Sequence, residues 1–71
     1  MTILEAAVQV LENSGKPMSV KDIYQEIVRG GLYEFGAKSP RSVLSGTLRN
    51  HVKKSASPRV AEVSNGIYEL R

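Results

Sequence analysis

Between positions 38 and 59 the chain sets out Lys38, Ser39, Arg41, Ser42, Ser45, Arg49, Lys53, Lys54 and Arg59, with no acidic residue among them. These side chains do not make or break bonds. They hold a polyanion: Lys and Arg bring charge and N–H donors to phosphate oxygens, and Ser adds hydroxyls. Arg can also grip guanine with two donors at once, which makes Arg49 the candidate for a base contact. Bond-making chemistry finds little to work with. There is one histidine, His51, and no cysteine. No glycine-rich phosphate loop is present, since Gly30-Gly31 reads as a helix stop. No ligand cluster suggests a metal, and no motif suggests a cofactor. Catalysis is therefore not expected, and His51 reads as a satisfied core or boundary residue.

The element that must position these side chains is a helix. Ser39 can act as its N-cap, and Pro40 suits the first helical position, where its fixed φ helps and its missing N–H costs nothing. A helix over residues 40–54 puts Leu44, Thr47, Leu48, His51 and Val52 on one face, with Val43 at the edge. Ser42, Ser45, Gly46, Arg49 and Lys53 fall opposite. Lys38 and Arg41 sit at the helix start, where unpaired N–H groups attract anions. Solvation alone also produces basic helix faces. A purely solvated face, however, usually carries long side chains rather than Ser, Ser and Gly. Gly46 costs a helix about 1 kcal/mol against Ala, so either packing or a close approach must require it.

The charge is unevenly spread. Residues 1–34 hold three basic and five acidic side chains, whereas residues 35–61 hold six basic ones and no acid. The net +3 of the 71-residue chain is thus concentrated in its middle, which points to an anionic partner there. A chain this short makes at most one domain and buries only about 60% of its unfolded surface. Without cysteine, packing alone must stabilise it. No apolar run is long enough for a membrane span and no leader pattern opens the chain, so an intracellular protein without membrane contact is expected, in cytoplasm or nucleoid if bacterial and in the nucleus if eukaryotic.

The remaining elements follow from caps and periodicity. Thr2 and Glu5 form a capping box for a first helix from Ile3 to Asn13 or Ser14, ended by Gly15. Ser19 and Asp22 repeat the arrangement for a second helix, with Met18 and Ile23 as a hydrophobic staple. Its buried stripe reads Val20, Ile23, Tyr24, Ile27, Val28. Gly30 and Gly31 stop it near Arg29, and Leu32 folds back over its last turn. Tyr33 and Phe35 suit a core edge or lid better than base stacking. Gly36 and Ala37 bridge to Lys38. After the polar exit at 53–58 the pattern changes to strands, with Asn65-Gly66 predicting a type I′ hairpin turn. A two-residue loop pairs Ser64 with Ile67, Val63 with Tyr68, Glu62 with Glu69 and Ala61 with Leu70. Ala61, Val63, Tyr68 and Leu70 would then face the core, and Glu62 would oppose Glu69 on a wet face.

Three helices and a two-stranded hairpin cannot bury their apolar faces separately, so the hairpin must pack on the helices. The segment around Pro17 and Met18 could add a short third strand. The expected fold is α+β, mainly α: a winged helix-turn-helix with the third helix in the recognition position and the C-terminal hairpin as wing.

The segments LEAAVQVLENSGKPMSVKDIY, IVRGGLYEFGAKSPRSVLSGTLRNHV and RVAEVSNGIYEL together resemble the HARE-HTH domain, a winged-helix module of Asx-like chromatin regulators and restriction endonucleases. They are also similar to the amino-terminal domain of the bacterial RNA polymerase delta subunit. The resemblance covers nearly the whole chain. It is most specific at Gly31-Leu32-Tyr33, Gly36…Lys38-Ser39-Pro40, Leu44…Leu48 and Gly66-x-Tyr68-x-Leu70. The family usually reads G-K-T-P before the third helix; here Ala37 is inserted and Ser39 replaces Thr. Val60 stands where the family often has Phe, which implies a thinner contact between wing and core.

The resemblance implies a DNA-associated role, in transcription regulation, restriction or DNA modification. Two functions follow for one domain spanning residues 1–71, expected to be a module of a larger protein. The first is non-catalytic binding of double-stranded DNA through the nine residues named above, with the wing mainly structural because Glu62 and Glu69 repel phosphate. The second is a protein-interaction module, marked by an exposed apolar patch drawn from Tyr33, Phe35, Val60 and Ile67.

Overall fold

The computed structural model describes residues 2–36 and 38–71; the inserted Ala37 lies outside the described residues. The elements in chain order are α1 (Ile3–Ser14), β1 (Met18–Ser19), α2 (Val20–Arg29), α3 (Pro40–Lys54), β2 (Val60–Ser64) and β3 (Ile67–Leu70). The strands form an antiparallel sheet in the order β1-β3-β2. Three helices with this small sheet make the winged helix-turn-helix arrangement, including the third strand expected near Pro17 and Met18.

The helices begin and end largely where local chemistry dictates. At α1 the capping box is complete: Glu5 N–H donates to Thr2 Oγ1 at 3.1 Å and Thr2 N–H donates to Glu5 Oε1 at 2.8 Å. The Thr2 N–H bond to the carboxylate first, and then the Thr2 hydroxyl, hold the Glu5 pKa below its ordinary value. At α2 the Ser19 hydroxyl accepts from Asp22 N–H at 3.1 Å. The shorter Asp22 side chain makes no return bond among the described residues. The end of α2 is a Schellman turn: Gly31, at φ +63°, donates to Val28 O, and Leu32 N–H donates to Ile27 O at 3.0 Å. That turn brings Leu32 back onto the core beside Ile27. It also leaves Val28 out of the expected buried stripe, at 51% exposure.

The core gathers Ala7, Val8 and Leu11 from α1, Ile23 and Ile27 from α2, Leu44 and Leu48 from α3, and Val60 and Tyr68 from the sheet. α2 and α3 each contribute one face, α1 contributes a broader one that also takes in Ala6 and Val10, and the sheet packs against them. Phe35 packs between Tyr24 and Tyr33, with ring centroids 5.3 and 5.0 Å apart. These half-buried rings close the core edge, as expected of a lid.

The hairpin departs from the expected register. Ser64 does pair with Ile67, but Glu62 pairs with Tyr68, Ala61 with Glu69 and Val60 with Leu70, because Val63 is bulged out of the ladder. No non-glycine residue among the described ones has positive φ, so Asn65 cannot be the first residue of a type I′ turn; Gly66 alone is positive, at +80°. Gly66 alone supplies the left-handed residue of the turn, and the ladder takes up one extra residue between Glu62 and Ser64. Val63 is consequently 50% exposed, while Val60 is fully buried. The opposed glutamates disappear: Glu69 lies across from Ala61, and Glu62 Oε2 accepts from Gly66 N–H at 3.2 Å.

Candidate functional site

The basic residues are carried by α3, and three contacts fix that helix. Leu44 and Leu48 anchor it in the core. At its C-terminal end His51 Nε2 accepts from Arg59 N–H at 2.9 Å, which ties the entry of β2 to the last turn of α3. This acceptor role requires neutral His51 with its proton on Nδ1. The histidine is thus a satisfied boundary residue.

The start of α3 differs from expectation. Ser39 occupies the N-cap position, but its φ of −121° and ψ of 72° depart from an extended cap, and its hydroxyl makes no capping bond. Only its carbonyl takes part, accepting from Val43 N–H at 3.2 Å. The first-turn N–H groups that Ser39 was expected to satisfy therefore lack that hydroxyl, and Pro40 reduces their number by one.

Arg41, Ser42, Ser45, Gly46 and Arg49 line one side of a shallow, open cleft, and Val20 and Lys21 from the start of α2 line the other. One helix turn after another thus presents cation, hydroxyls, glycine and cation. The second helix supplies its N-terminal end, which carries partial positive charge. No acid lines this cleft. Among the described residues the one ion pair is Arg29–Glu26 at 3.4 Å, on an exposed surface elsewhere, so the three cleft cations have no anionic partner. An added Cβ at Gly46 would meet nothing within 4 Å. Packing within the domain does not require that glycine.

Four of the nine expected residues, Arg41, Ser42, Ser45 and Arg49, share the cleft. Lys38 and Ser39 are exposed just before α3, and Lys53 and Lys54 are exposed on its last turn. Arg59 lies apart from the cleft, and its charge acts on Glu5 at the start of α1. Lys21 joins the cleft although sequence reading passed it over. It stands in the acid-rich half of the chain, and only the crossing of α2 over α3 brings it there. A helix-turn-helix reading that placed the N-terminus of α2 against α3 would have found it.

A larger groove, about 720 Å³, runs between α1, α2 and β1. Its charged lining is mixed, Lys16 and Arg29 against Asp22 and Glu26, so it offers an anion no net attraction. Of the four residues expected to mark an apolar patch, Val60 is buried, and Tyr33, Phe35 and Ile67 are half-buried. The large exposed apolar side chains are Val28, Val43 and Val63, one each on α2, α3 and the wing. No helix among the described residues is long and apolar enough to cross a membrane.

On β3, Tyr68 is wholly buried and its hydroxyl has no hydrogen-bond partner among the described residues. Burial first, and then the Glu62 carboxylate, push its pKa above the ordinary value. The Arg49 guanidinium acts in the opposite direction, as a donor beside the phenol oxygen and through its charge, although the contact falls short of a well-formed hydrogen bond.

No curated protein and no solved structure matches the chain. A family model does, over residues 1–71; it describes the HARE-HTH domain, a helix-turn-helix domain whose description names ASXL and restriction endonuclease proteins. With a three-helix, winged fold and a match that covers the whole sequence, the chain belongs to the HARE-HTH family of DNA-binding helix-turn-helix domains.

Proposed function

We propose that this domain is a non-catalytic module that docks a larger protein on double-stranded DNA, in transcription regulation or DNA restriction and modification. The observation that supports this reading is the α2–α3 cleft, lined by Lys21, Arg41 and Arg49 and by no acid. A DNA strand lying along it meets Lys21 and Arg41 as phosphate contacts, with Ser42 and Ser45 as hydroxyl donors. Lys38 and the first-turn N–H groups of α3 extend the backbone track at one end, and Lys53 and Lys54 at the other. Arg49, midway along α3, is the residue for a base edge in the major groove. The wing packs the core and carries Glu62, so α3 dominates and the wing is structural.

Fluorescence anisotropy with a labelled duplex of about 20 base pairs tests the reading. About five phosphate contacts give a slope of log K against log salt of about −4 to −5. Arg49→Ala combined with Lys53→Ala weakens binding at least tenfold without unfolding the domain. Equal affinity of the folded double variant and the wild type would sink the reading, and a DNA-independent protein partner would then take its place.

A further inference from the structure

Tyr68 poses a question that DNA binding by α3 does not itself answer. It is the one residue among the described ones whose buried side-chain polar atom lacks a partner. Phenylalanine would fill the same space with no hydroxyl to leave unsatisfied, so the hydroxyl calls for a reason. Two charged groups act on it, Glu62 and Arg49. Glu62 is the cross-strand neighbour of Tyr68, and its Oε2 already accepts from Gly66 N–H. Arg49 is exposed on α3 and lines the cleft with Val20. Val20 N–H in turn donates to Gly66 O at 3.0 Å, and Met18 pairs with Tyr68. The guanidinium and the buried phenol thus lie on the two sides of one junction, where α2, α3 and the hairpin meet.

We propose that Tyr68 is a positioning residue for Arg49: on duplex binding, one guanidinium N–H donates to the Tyr68 hydroxyl oxygen, and the remaining donors of the planar fork are held toward the nucleic acid. The inference rests on the reading of α3 as the DNA-contacting element. Its physical basis is the long, rotamer-rich arginine side chain. Arg is effective at bidentate recognition only when its plane is set, and an anchor on the protein side sets it before a base edge is met. The buried hydroxyl is then unpaired only in the free domain.

The test compares wild type, Tyr68→Phe, Arg49→Ala and the double variant by duplex anisotropy across a salt series. Tyr68→Phe is expected to melt no lower than wild type at neutral pH, because it removes an unpaired buried hydroxyl, and to lose affinity about five- to tenfold, the worth of one hydrogen bond. Its salt slope stays unchanged, because no phosphate contact is lost. In the Arg49→Ala background the same substitution adds nothing. Tyr68→Phe binding as tightly as wild type overturns the proposal while leaving DNA binding intact, as does an equal loss in both backgrounds. A wild type that binds no duplex at low salt overturns both. The Cζ resonance of carbon-13-labelled Tyr68 needs no variant: it should move on saturation with duplex, and a resonance that stays in place overturns the anchor.

Discussion

At the scale of single residues, the hydroxyl of Tyr68 and the ring of His51 make opposite demands on the fold. His51 was legible as a boundary residue, because helical spacing alone put it on the same face as Leu44 and Leu48. Its partner, the Arg59 N–H, was not legible, since the two lie eight positions apart across the end of α3 and only the folded exit from that helix brings them together. Tyr68 was legible as core but not as an unpaired hydroxyl, because the partners of a hydroxyl depend on register. The raised Tyr68 pKa has a consequence for stability. The unfolded chain gives up the phenolic proton at its ordinary value of 10.0, before the folded domain does. Folding is therefore unaffected by this group below that pH and loses stability as pH rises through the window above it. Thermal melts at pH 8 and pH 11 should show a fall for wild type that is smaller for Tyr68→Phe. The core leucines have a simpler effect: Leu48→Ala should cost about 2–5 kcal/mol, most of what a domain of this size possesses. Its circular dichroism melt should begin near room temperature or show no folded baseline.

At the scale of elements, helices were read nearly residue for residue and the hairpin was not. The helix signals are local: a capping box at Thr2, Gly15 at φ +66°, a Schellman pair at Gly30-Gly31. Strand register is a compromise among turn twist, core space and a bulge. Tyr68 and Val60 both enter the core, and Val63 is displaced to let them do so. The same limit explains Val28, which helical spacing buried but Leu32 replaced. The capping box gives a pH prediction with its sign opposite to that of Tyr68. The Glu5 pKa is lowered by its bond from Thr2 N–H, so its contribution is present above the ordinary 4.5 and fades as pH falls through the lower folded value. Glu5→Gln should flatten the acid limb of a melting-temperature profile below pH 5. On α3, Gly46→Ala separates stability from binding. Nothing lies within 4 Å of an added Cβ, so the helix should gain about 1 kcal/mol and the melting temperature rise by about 4–8 °C. If a phosphate-bearing strand packs against the cleft wall at Gly46, the more stable variant will bind duplex more weakly. Tighter or equal binding would mean that the strand passes elsewhere.

At the scale of the whole molecule, folding turns a linear charge asymmetry into a directional one. The acid-rich first half supplies α1 and α2, and the large groove between them carries balanced charge; the basic middle supplies α3. Lys21 breaks that simple division. Along the chain it is flanked by Asp22 and belongs to the acidic half, yet in space it completes a cleft with Arg41 and Arg49. Two pictures of DNA docking therefore differ over one residue. If attraction comes from α3 as a basic rod, Lys53 and Lys54 matter and Lys21 does not. If the strand is seated between α2 and α3, Lys21 neutralises a phosphate as Arg41 does. Each lost phosphate contact reduces the salt slope by about 0.9. Lys21→Ala should then reduce the slope by about as much as Arg41→Ala, and combining the two should double the change, because contacts to separate phosphates add. Both side chains are exposed, so neither substitution should move the melting temperature appreciably. A Lys21→Ala slope equal to that of wild type, beside a reduced slope for Lys53→Ala, would place the backbone along the rod and leave the cleft outside the interface.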